Sequence, residues 1–537
     1  MIEPEVMGIL TVSNEPDELE SSAPTCFSVY LHSLAIQGHG QMGKCRPQNG
    51  SCSQEDRESF YAASGTSIAV LGLLWSNAPS DGDNVDSRDA AVLSKMPLSK
   101  VVTGWLAYAF CSSPTWVDMS ETFYNIASKI PLISSITKFF VMRVFFEQFL
   151  GGETTEDCSP KIQALRQEQI GVLLGYNIEA ELNGSRKDPS LILDQTQKVL
   201  ESIELQAKLA REICPSTAAT GGDNRFWVRV KVTGLLPDPI ALLHGSMAII
   251  EARQSKGLDK DVPYPGLPHD GDWEAALSGK QVTAADRRQL LDLYATLDAI
   301  MTKGRDNNIR IVIDAEQTWY QPVIDSLTDE FMQKYNTIGG SATCIASFQA
   351  YLRRYPQLID QQVLRAQRKG YKLLFKQVRG AYIKTEAERW RREGREGLGP
   401  VWDTKADTDA SFNYGLEKAL SVIHQQVQAT GTTQIGAIFA THNSHSIDLG
   451  IQLLEKYGLS KRMGESDKLI VANEVAGSIA FGQLYGMKDD LTNRIAGSIE
   501  TADGFPLVVK RIGQFWREEE GLAQREFGWG GNSVDDC

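Results

Sequence analysis

The sequence predicts an α/β fold, a (β/α)8 TIM-like barrel preceded by an N-terminal helical arm. Three observations carry that expectation. From about residue 166 onward, short β-branched and aromatic runs alternate with helical spacers, the pattern of a parallel sheet or barrel. Eight such runs can be picked out, which suits a closed barrel better than an open doubly wound sheet, the alternative architecture. Successive runs also end in charged or amide side chains, and strand ends are where barrel enzymes keep their chemistry.

Composition sets the outer bounds. A chain of 537 residues buries a large core and exceeds one compact domain of ordinary size. With 42% apolar and 23% charged residues it reads as globular. A net charge of −14 argues against a nucleic-acid surface, which needs a basic stripe. The eight cysteines are scattered without a CxxC pair, so neither a zinc site nor a disulfide framework is indicated and free thiols in a reducing compartment are expected. No run approaches the ~18 apolar residues of a membrane span.

In chain order, residues 1–96 are rich in Ser, Gly, Asn, Asp and Gln and read as a low-complexity, disordered region. Its first twenty residues are acidic, unlike an Arg-rich, acid-poor transit peptide. Gly38-His39-Gly40-Gln41-Met42-Gly43 satisfies GxGxxG, but loop chemistry follows where a helix is needed, so no dinucleotide site is inferred. Residues 97–165 turn helical, with an apolar stripe interrupted by Lys138 and Arg143 and a stop at Gly151-Gly152. That arm either packs on the main domain or lies on a membrane surface with its basic residues on the polar face. The barrel is expected over 166–515, followed by a divergent tail over 516–537. Its strands are expected at 170–176, 226–234, 309–316, 341–348, 372–380, 436–443, 478–486 and 505–510. Thr283 and Asp286 form a capping-box start for one spacer helix, with Gly304 as its stop. The Pro/Gly/Asp-rich stretch 255–282 reads as a surface insertion.

Polar residues at the C-terminal strand ends converge on one mouth in a parallel barrel. This chain supplies Lys231, then Asp314 and Glu316, Gln349, Lys376 and Arg379, and Thr441-His442-Asn443. Any one of them, His442 above all, fits a satisfied core or rim position. Together they suit a planar, electron-accepting ring, because lysine and arginine stabilise the negative charge a flavin gains on reduction. Metal chemistry is not indicated, since His442 and His445 lack carboxylate or thiolate company.

The segments VKVTGL (230–235), VIDAEQTWYQP (312–322), FQAYLRR (348–354), FKQVRGAYIKTEAER (375–389), FATHN (439–443) and FGQLYGMKDDLT (481–492) resemble, in order, the motifs of the proline dehydrogenase family, in wording nearest its fungal and eukaryotic mitochondrial members. The resemblance spans roughly residues 97–510. It implies FAD as cofactor and oxidation of L-proline to 1-pyrroline-5-carboxylate, with electrons passed to a quinone. It also implies a mitochondrial location with possible peripheral contact to the inner membrane. Residue by residue, it implies that Lys231 binds the proline carboxylate and that Asp314 holds the active-site cations. Ala315, Gln349, Lys376, Arg379, Gly380 and Ala381 would line the flavin, with Lys376 near its reactive nitrogen. Thr441, His442 and Asn443 would reach its ribityl and phosphate side, and Leu484 and Tyr485 would wall the proline ring. Past the eighth strand the family pattern continues into a helix bearing RRxxEN, whose arginines clamp the substrate carboxylate. This chain reads FPLVVK and then RIGQFWREEEGLAQREFGWGGNSVDDC. VVK matches the strand, whereas a looser alignment puts Lys510 and Arg511 on the arginine pair and Gln514 on the glutamate. Two alternatives remain open: a flavin barrel acting on another small amine such as hydroxyproline, and a catalytically impaired remnant.

Overall fold

A computed structural model describes residues 98–111, 114–127, 129–176, 189–216, 225–340, 342–462, 468–502, 504 and 507–514. The low-complexity region over 1–96, its GxGxxG stretch and the tail over 516–537 lie outside the described residues. The chain divides into two compact units between Gln148 and Phe149. In the first, helices span Leu98–Cys111, Pro114–Ala127 and Pro131–Val141, the last continuing through a π-helical turn at Met142–Phe146. Phe110, Phe140 and Phe145 meet edge to face inside this unit, with centroids 5.6 to 6.1 Å apart.

The second unit is a closed barrel of eight parallel strands: β1 Gly171–Tyr176, β2 Phe226–Val230, β3 Arg310–Ile313, β4 Cys344–Gln349, β5 Leu373–Val378, β6 Ile435–Ala440, β7 Ile479–Leu484 and β8 Val508–Gln514. Each pairs with the next in sequence, and β8 closes on β1 through Val509↔Gly171 to Gln514↔Tyr176. All eight expected strands are present. VVK lies on the last one, which runs four residues beyond Lys510. Gly151 and Gly152 end the preceding helix and form a short strand, Leu150–Gly152, against the end of β8.

Period-two alternation sorts the side chains into two cores. One inward residue from each strand makes an apolar layer across the barrel: Leu173, Trp227, Val312, Ile345, Leu374, Ile438, Ala480 and Val509. The outward residues, Phe375, Phe439, Phe481 and Ile512 among them, pack under the surrounding helices in a larger cluster. Burial on both faces explains why the strands read as continuous apolar runs.

Four features differ from the sequence reading or refine it. Thr283 and Asp286 do form the capping box of helix Ala284–Asp306, but Gly304 lies inside that helix, which stops two residues later. A Cβ at Gly304 would sit 2.8 Å from the Ile309 carbonyl oxygen, so the glycine serves close packing against the chain entering β3. The stretch 255–282 carries a helix, Asp272–Ser278, and is bound inward by an ion pair and a hydrogen bond: Asp272 meets Arg253 Nη2 at 2.6 Å, and the Gly266 carbonyl accepts from Arg354 Nη1 at 2.7 Å. A small sheet of Ser460–Arg462, Leu469–Val471 and Ile499–Thr501 was not foreseen. Finally, Cys158, Cys214 and Cys344 are buried free thiols, and burial pushes Cys158 up to about 12, which makes it unreactive.

Candidate active site

Two places further along each strand from the apolar layer, the inward positions change character. They are Gly175, Arg229, Asp314, Ser347, Lys376, Ala440, Gly482 and Arg511. Four carry charge and three are glycine or alanine. The same step taken again reaches Lys231, Gln349, His442 and Leu484, all expected from the sequence to face the mouth.

Asp314 is the centre of this layer. Its Oδ2 accepts from Arg229 Nη1 at 2.9 Å, and its Oδ1 pairs with Lys376 Nζ. Burial alone would raise its pKa. The positive charges of Lys376, Arg229 and Arg511 outweigh that and hold the carboxyl well below the ordinary carboxylate range. Burial lowers the pKa of Lys376; Asp314 opposes this, while Arg511 and Arg229 push it further down. Arg229 and Lys376 thus hold the carboxylate between them, with Arg511 near enough to act on both Asp314 and Lys376. Positive charge gathered at a barrel mouth suits an anion, or a group that becomes anionic.

Gln349 ends β4 with its amide pinned: Nε2 donates to the Glu316 carbonyl at 3.0 Å, while Oε1 is buried without a donor among the described residues. The Ser347 hydroxyl below it is equally unpartnered. Glu316 does not reach the mouth. Its carboxylate accepts from Thr233 N at 3.0 Å and Thr233 Oγ1 at 2.5 Å, tying the turn after β2 to the turn after β3. Gly380 follows β5 at φ +153°, and a Cβ there would lie 1.8 Å from the Tyr351 ring. Only glycine lets the chain pass that ring. Ala315 beside Asp314 is half-buried and Ala381 is exposed.

Arg379 has a different setting from Lys376. It falls on the opposite register, stacks 4.9 Å above the Phe412 ring and pairs with Asp409. Its Nε donates to Thr441 Oγ1 at 3.0 Å and its Nη2 to Ser446 Oγ at 2.9 Å. Its charge is therefore compensated, and it braces the loop after β6. In that loop Thr441 Oγ1 also accepts from Asn443 N at 3.1 Å, and Asn443 caps helix Ser444–Lys456 by accepting from Ser446 N at 3.0 Å. His442 Nε2 accepts from Leu484 N at 3.0 Å, which leaves the ring proton on Nδ1. Burial first, then Lys488 and Lys510, push His442 down to about 4, so it is neutral. Leu484 keeps the inward register. Tyr485, expected beside it, is on the other register and packs against the outer core, with Lys161 and Lys510 ammonium groups 5.5 and 5.7 Å from its ring centroid.

Sequence reading missed Arg229 and Asp409, and reached Arg511 only through the looser alignment of the arginine pair. Arg229 was recoverable, because alternation back from Lys231 puts it on the same face.

These residues fit a flavin. Positive charge at Lys376 suits a ring that becomes anionic on reduction, and Gln349 Oε1, without a donor among the described residues, offers an acceptor for a ring N–H. Lys376, Gln349, Gly380 and Ala315 are the residues that would hold it.

The family model described as Proline dehydrogenase matches residues 158–509. Among similar proteins, Proline dehydrogenase 1, mitochondrial, of Dictyostelium discoideum is 30% identical over 74% of this chain and 64% of its own length. Its namesake in Caenorhabditis elegans is 30% identical over 73% of this chain and 77% of its own. Hydroxyproline dehydrogenase of Xenopus laevis is 25% identical over 82% and 88%. The chain thus spans under two thirds of the Dictyostelium protein. A crystal structure of proline utilization A from Bdellovibrio bacteriovorus, inactivated by N-propargylglycine, shares the fold with a TM-score of 0.50 at 16% identity, over 80% of this chain and 35% of that one. With a family match that covers every barrel strand from β1 to the start of β8, this chain belongs to the proline dehydrogenase family.

Proposed function

We propose that this chain is an FAD-dependent oxidoreductase that converts L-proline to 1-pyrroline-5-carboxylate in mitochondria and passes the electrons to a quinone. One observation carries the reading: in a chain of this family, the inward layer at the barrel mouth sets Arg229, Lys376 and Arg511 around the buried carboxylate of Asp314. In the reaction a hydride leaves C5 of the ring, the nitrogen gives its proton to solvent, and the carbon–nitrogen double bond forms. Bound FAD supplies the two-electron acceptor. The protein's part is electrostatic and positional. Lys376 is held in place by Asp314 and keeps a positive charge where negative charge develops. Lys231 meets the substrate carboxylate, Leu484 walls the ring, and His442, Thr441 and Asn443 shape the cofactor's polar side.

A second substrate has specific support, since the Xenopus relative is named for hydroxyproline. Rates with L-proline and with trans-4-hydroxy-L-proline, measured on FAD-loaded protein with a soluble quinone analogue, decide between them. A kcat/KM favouring L-proline supports the main reading, the reverse order supports the second, and no turnover of either sinks both.

The proposed inner-membrane contact draws support from the 98–148 unit. Met119, Phe123, Ile126, Ile133, Ile136 and Phe139 are exposed there, Phe139 to 71%. Residues 126–143 include Lys129, Lys138 and Arg143 and no acidic residue, in a chain of net charge −14. Among the described residues no helix is long and apolar enough to cross a membrane, so contact would be peripheral. Flotation with anionic vesicles tests it: the full chain should float, and Phe139→Asp should stay in the soluble fraction. Equal flotation of both would reject this face.

A further inference from the structure

Helix Ile383–Arg392 follows β5 and carries Lys384, Arg389, Arg391 and Arg392, yet the side chain it buries is an acid, Glu386, 2% exposed. A helix laid on a barrel normally buries apolar groups, and a carboxyl in their place is costly unless its oxygens are bonded. Here both are. Glu386 Oε1 accepts from Thr318 N at 2.6 Å, and its Oε2 accepts from Thr318 Oγ1. Thr318 is itself buried, in the turn that follows Asp314 and Ala315. Beside it, Arg389 of the same helix stacks 4.2 Å from the centroid of the Trp319 ring.

These contacts join two stretches that β4 separates in the sheet. One, after β3, carries Asp314 and Ala315; the other, after β5, carries Gly380 and Ala381. The end of β4 touches both. Gln349 Nε2 donates to the Glu316 carbonyl at 3.0 Å, Tyr351 N donates to the Arg379 carbonyl at 2.8 Å, and Gly380 passes the Tyr351 ring. Glu386 and Thr318 close the circuit.

We propose that Glu386 is a positioning residue for the cofactor: by holding Thr318 it fixes the turn after β3 against the chain after β5, the two backbone stretches that would line the flavin. This inference rests on the flavin reading. The groups around Glu386 are Thr318, Arg389 of its own helix, Arg354, and the phenols of Tyr351 and Tyr264. Burial, against the bonds from Thr318 and the pull of both arginines, pushes Glu386 up to about 7. When neutral it can donate to Thr318 Oγ1 while accepting from Thr318 N, a pairing that a glutamine reproduces. Released into water it would titrate at about 4.3, so the clamp is at full strength below that and weakens as pH rises through about 7.

FAD dissociation constants, read from flavin fluorescence between about pH 5 and pH 8, and thermal midpoints are measured on wild type, Glu386→Ala, Glu386→Gln, Thr318→Val and Asn336→Ala. Asn336 is the control for lost stability alone. It is buried at the opposite ends of β4 and β5, accepting from Cys344 N at 2.9 Å and donating to the Lys372 carbonyl at 3.1 Å. Glu386→Ala should weaken FAD binding about tenfold or more, and Thr318→Val less, because its amide remains. Glu386→Gln should hold its affinity across the range in which that of the wild type falls. Asn336→Ala should lower the thermal midpoint and keep FAD affinity. In FAD-free protein, amide exchange over residues 315–320 should quicken in Glu386→Ala and not in Asn336→Ala.

Unchanged FAD affinity in Glu386→Ala, an equal loss in Asn336→Ala, or a Glu386→Gln as weak as Glu386→Ala would each overturn the proposal. Should Glu386→Ala not fold, Thr318→Val against Asn336→Ala decides by the same criteria. A wild type that takes up no FAD, while residues 315–320 still loosen in Glu386→Ala, fails the flavin reading and this inference with it. A wild type that binds FAD no more tightly than Glu386→Ala fails this inference alone.

Discussion

Two buried charge clusters in this barrel look alike in composition and differ in how their charges are paired. Beneath the 255–282 segment, Arg253 pairs with Asp272 at 2.6 Å, Arg354 with Asp325 at 2.6 Å and Arg365 with Asp270 at 2.5 Å. Each arginine there has its own aspartate, and the cluster fastens that segment to helices Ile240–Ser255, Gln321–Tyr335 and Tyr355–Lys369. At the mouth, Asp314 pairs with Arg229 and Lys376 together, and Arg511 also acts on it. One-to-one pairs of buried ions are a structural fastener. A carboxylate that holds several cations at the end of the barrel strands puts positive charge where a ligand arrives, which is why the mouth reads as the working site.

Removing the carboxylate tests the comparison hardest. Asp314→Ala and Asp325→Ala should each cost about 3–5 kcal/mol in chemical denaturation, because each leaves buried cations unpaired. Only Asp314→Ala should also abolish FAD retention; equal FAD binding by both variants would erase the distinction. Removing a cation should separate the clusters in the opposite sense. Arg354→Met strands Asp325 and should again cost about 3 kcal/mol or more, while Lys376→Met leaves Asp314 with Arg229 and should cost under about 1 kcal/mol. A Lys376→Met variant as unstable as Arg354→Met would mean that Arg229 does not hold Asp314 by itself.

A third change keeps every charge and alters only shape. Gly380→Ala puts a methyl into the Tyr351 ring at a backbone angle that disfavours side chains, and a loss of about 1–3 kcal/mol is expected. Full stability of that variant would show that the chain can pass Tyr351 by another route.

The pH dependence has opposite signs in the two regions. His442 is pushed down to about 4, by burial first. The unfolded chain takes up this proton near pH 6.5, so stability falls as pH drops from about 6.5 to about 4 and is insensitive to His442 above that. Asp329 is pushed up to about 7, by burial first and against the pull of Arg365. Its contribution is full below the ordinary carboxylate range near 3.9 and is lost as pH rises through about 7. His442→Gln should flatten the first limb and Asp329→Asn the second, as read from denaturation midpoints across pH; a limb unchanged by its variant would refute that assignment.

Much of this was legible in the sequence because strand and chemistry coincide there. The run KLLFKQV is apolar enough to be a strand and ends in Lys376, and IRIVID ends in Asp314; their meeting needs only that both strands face one mouth. Arg229 and Arg511 were harder. Which face of a strand is inward depends on the register of all eight strands, and that is fixed only once Trp227 and Val509 are seen in the same apolar layer. The 255–282 segment has loop composition, yet its aspartate at 272 is the partner of an arginine in the helix that precedes it, and composition carries no record of such pairing. The three-residue strands of the small sheet are too short to show any period.

The central claim is that the cations gathered at the mouth serve a flavin that L-proline reduces. Anaerobic addition of L-proline to FAD-loaded protein, followed by flavin absorbance, tests it most directly. The account predicts bleaching in the wild type and markedly slower bleaching in Lys376→Met at near-normal stability. A protein that takes up no FAD, or whose Lys376→Met variant is reduced at the wild-type rate, would contradict it.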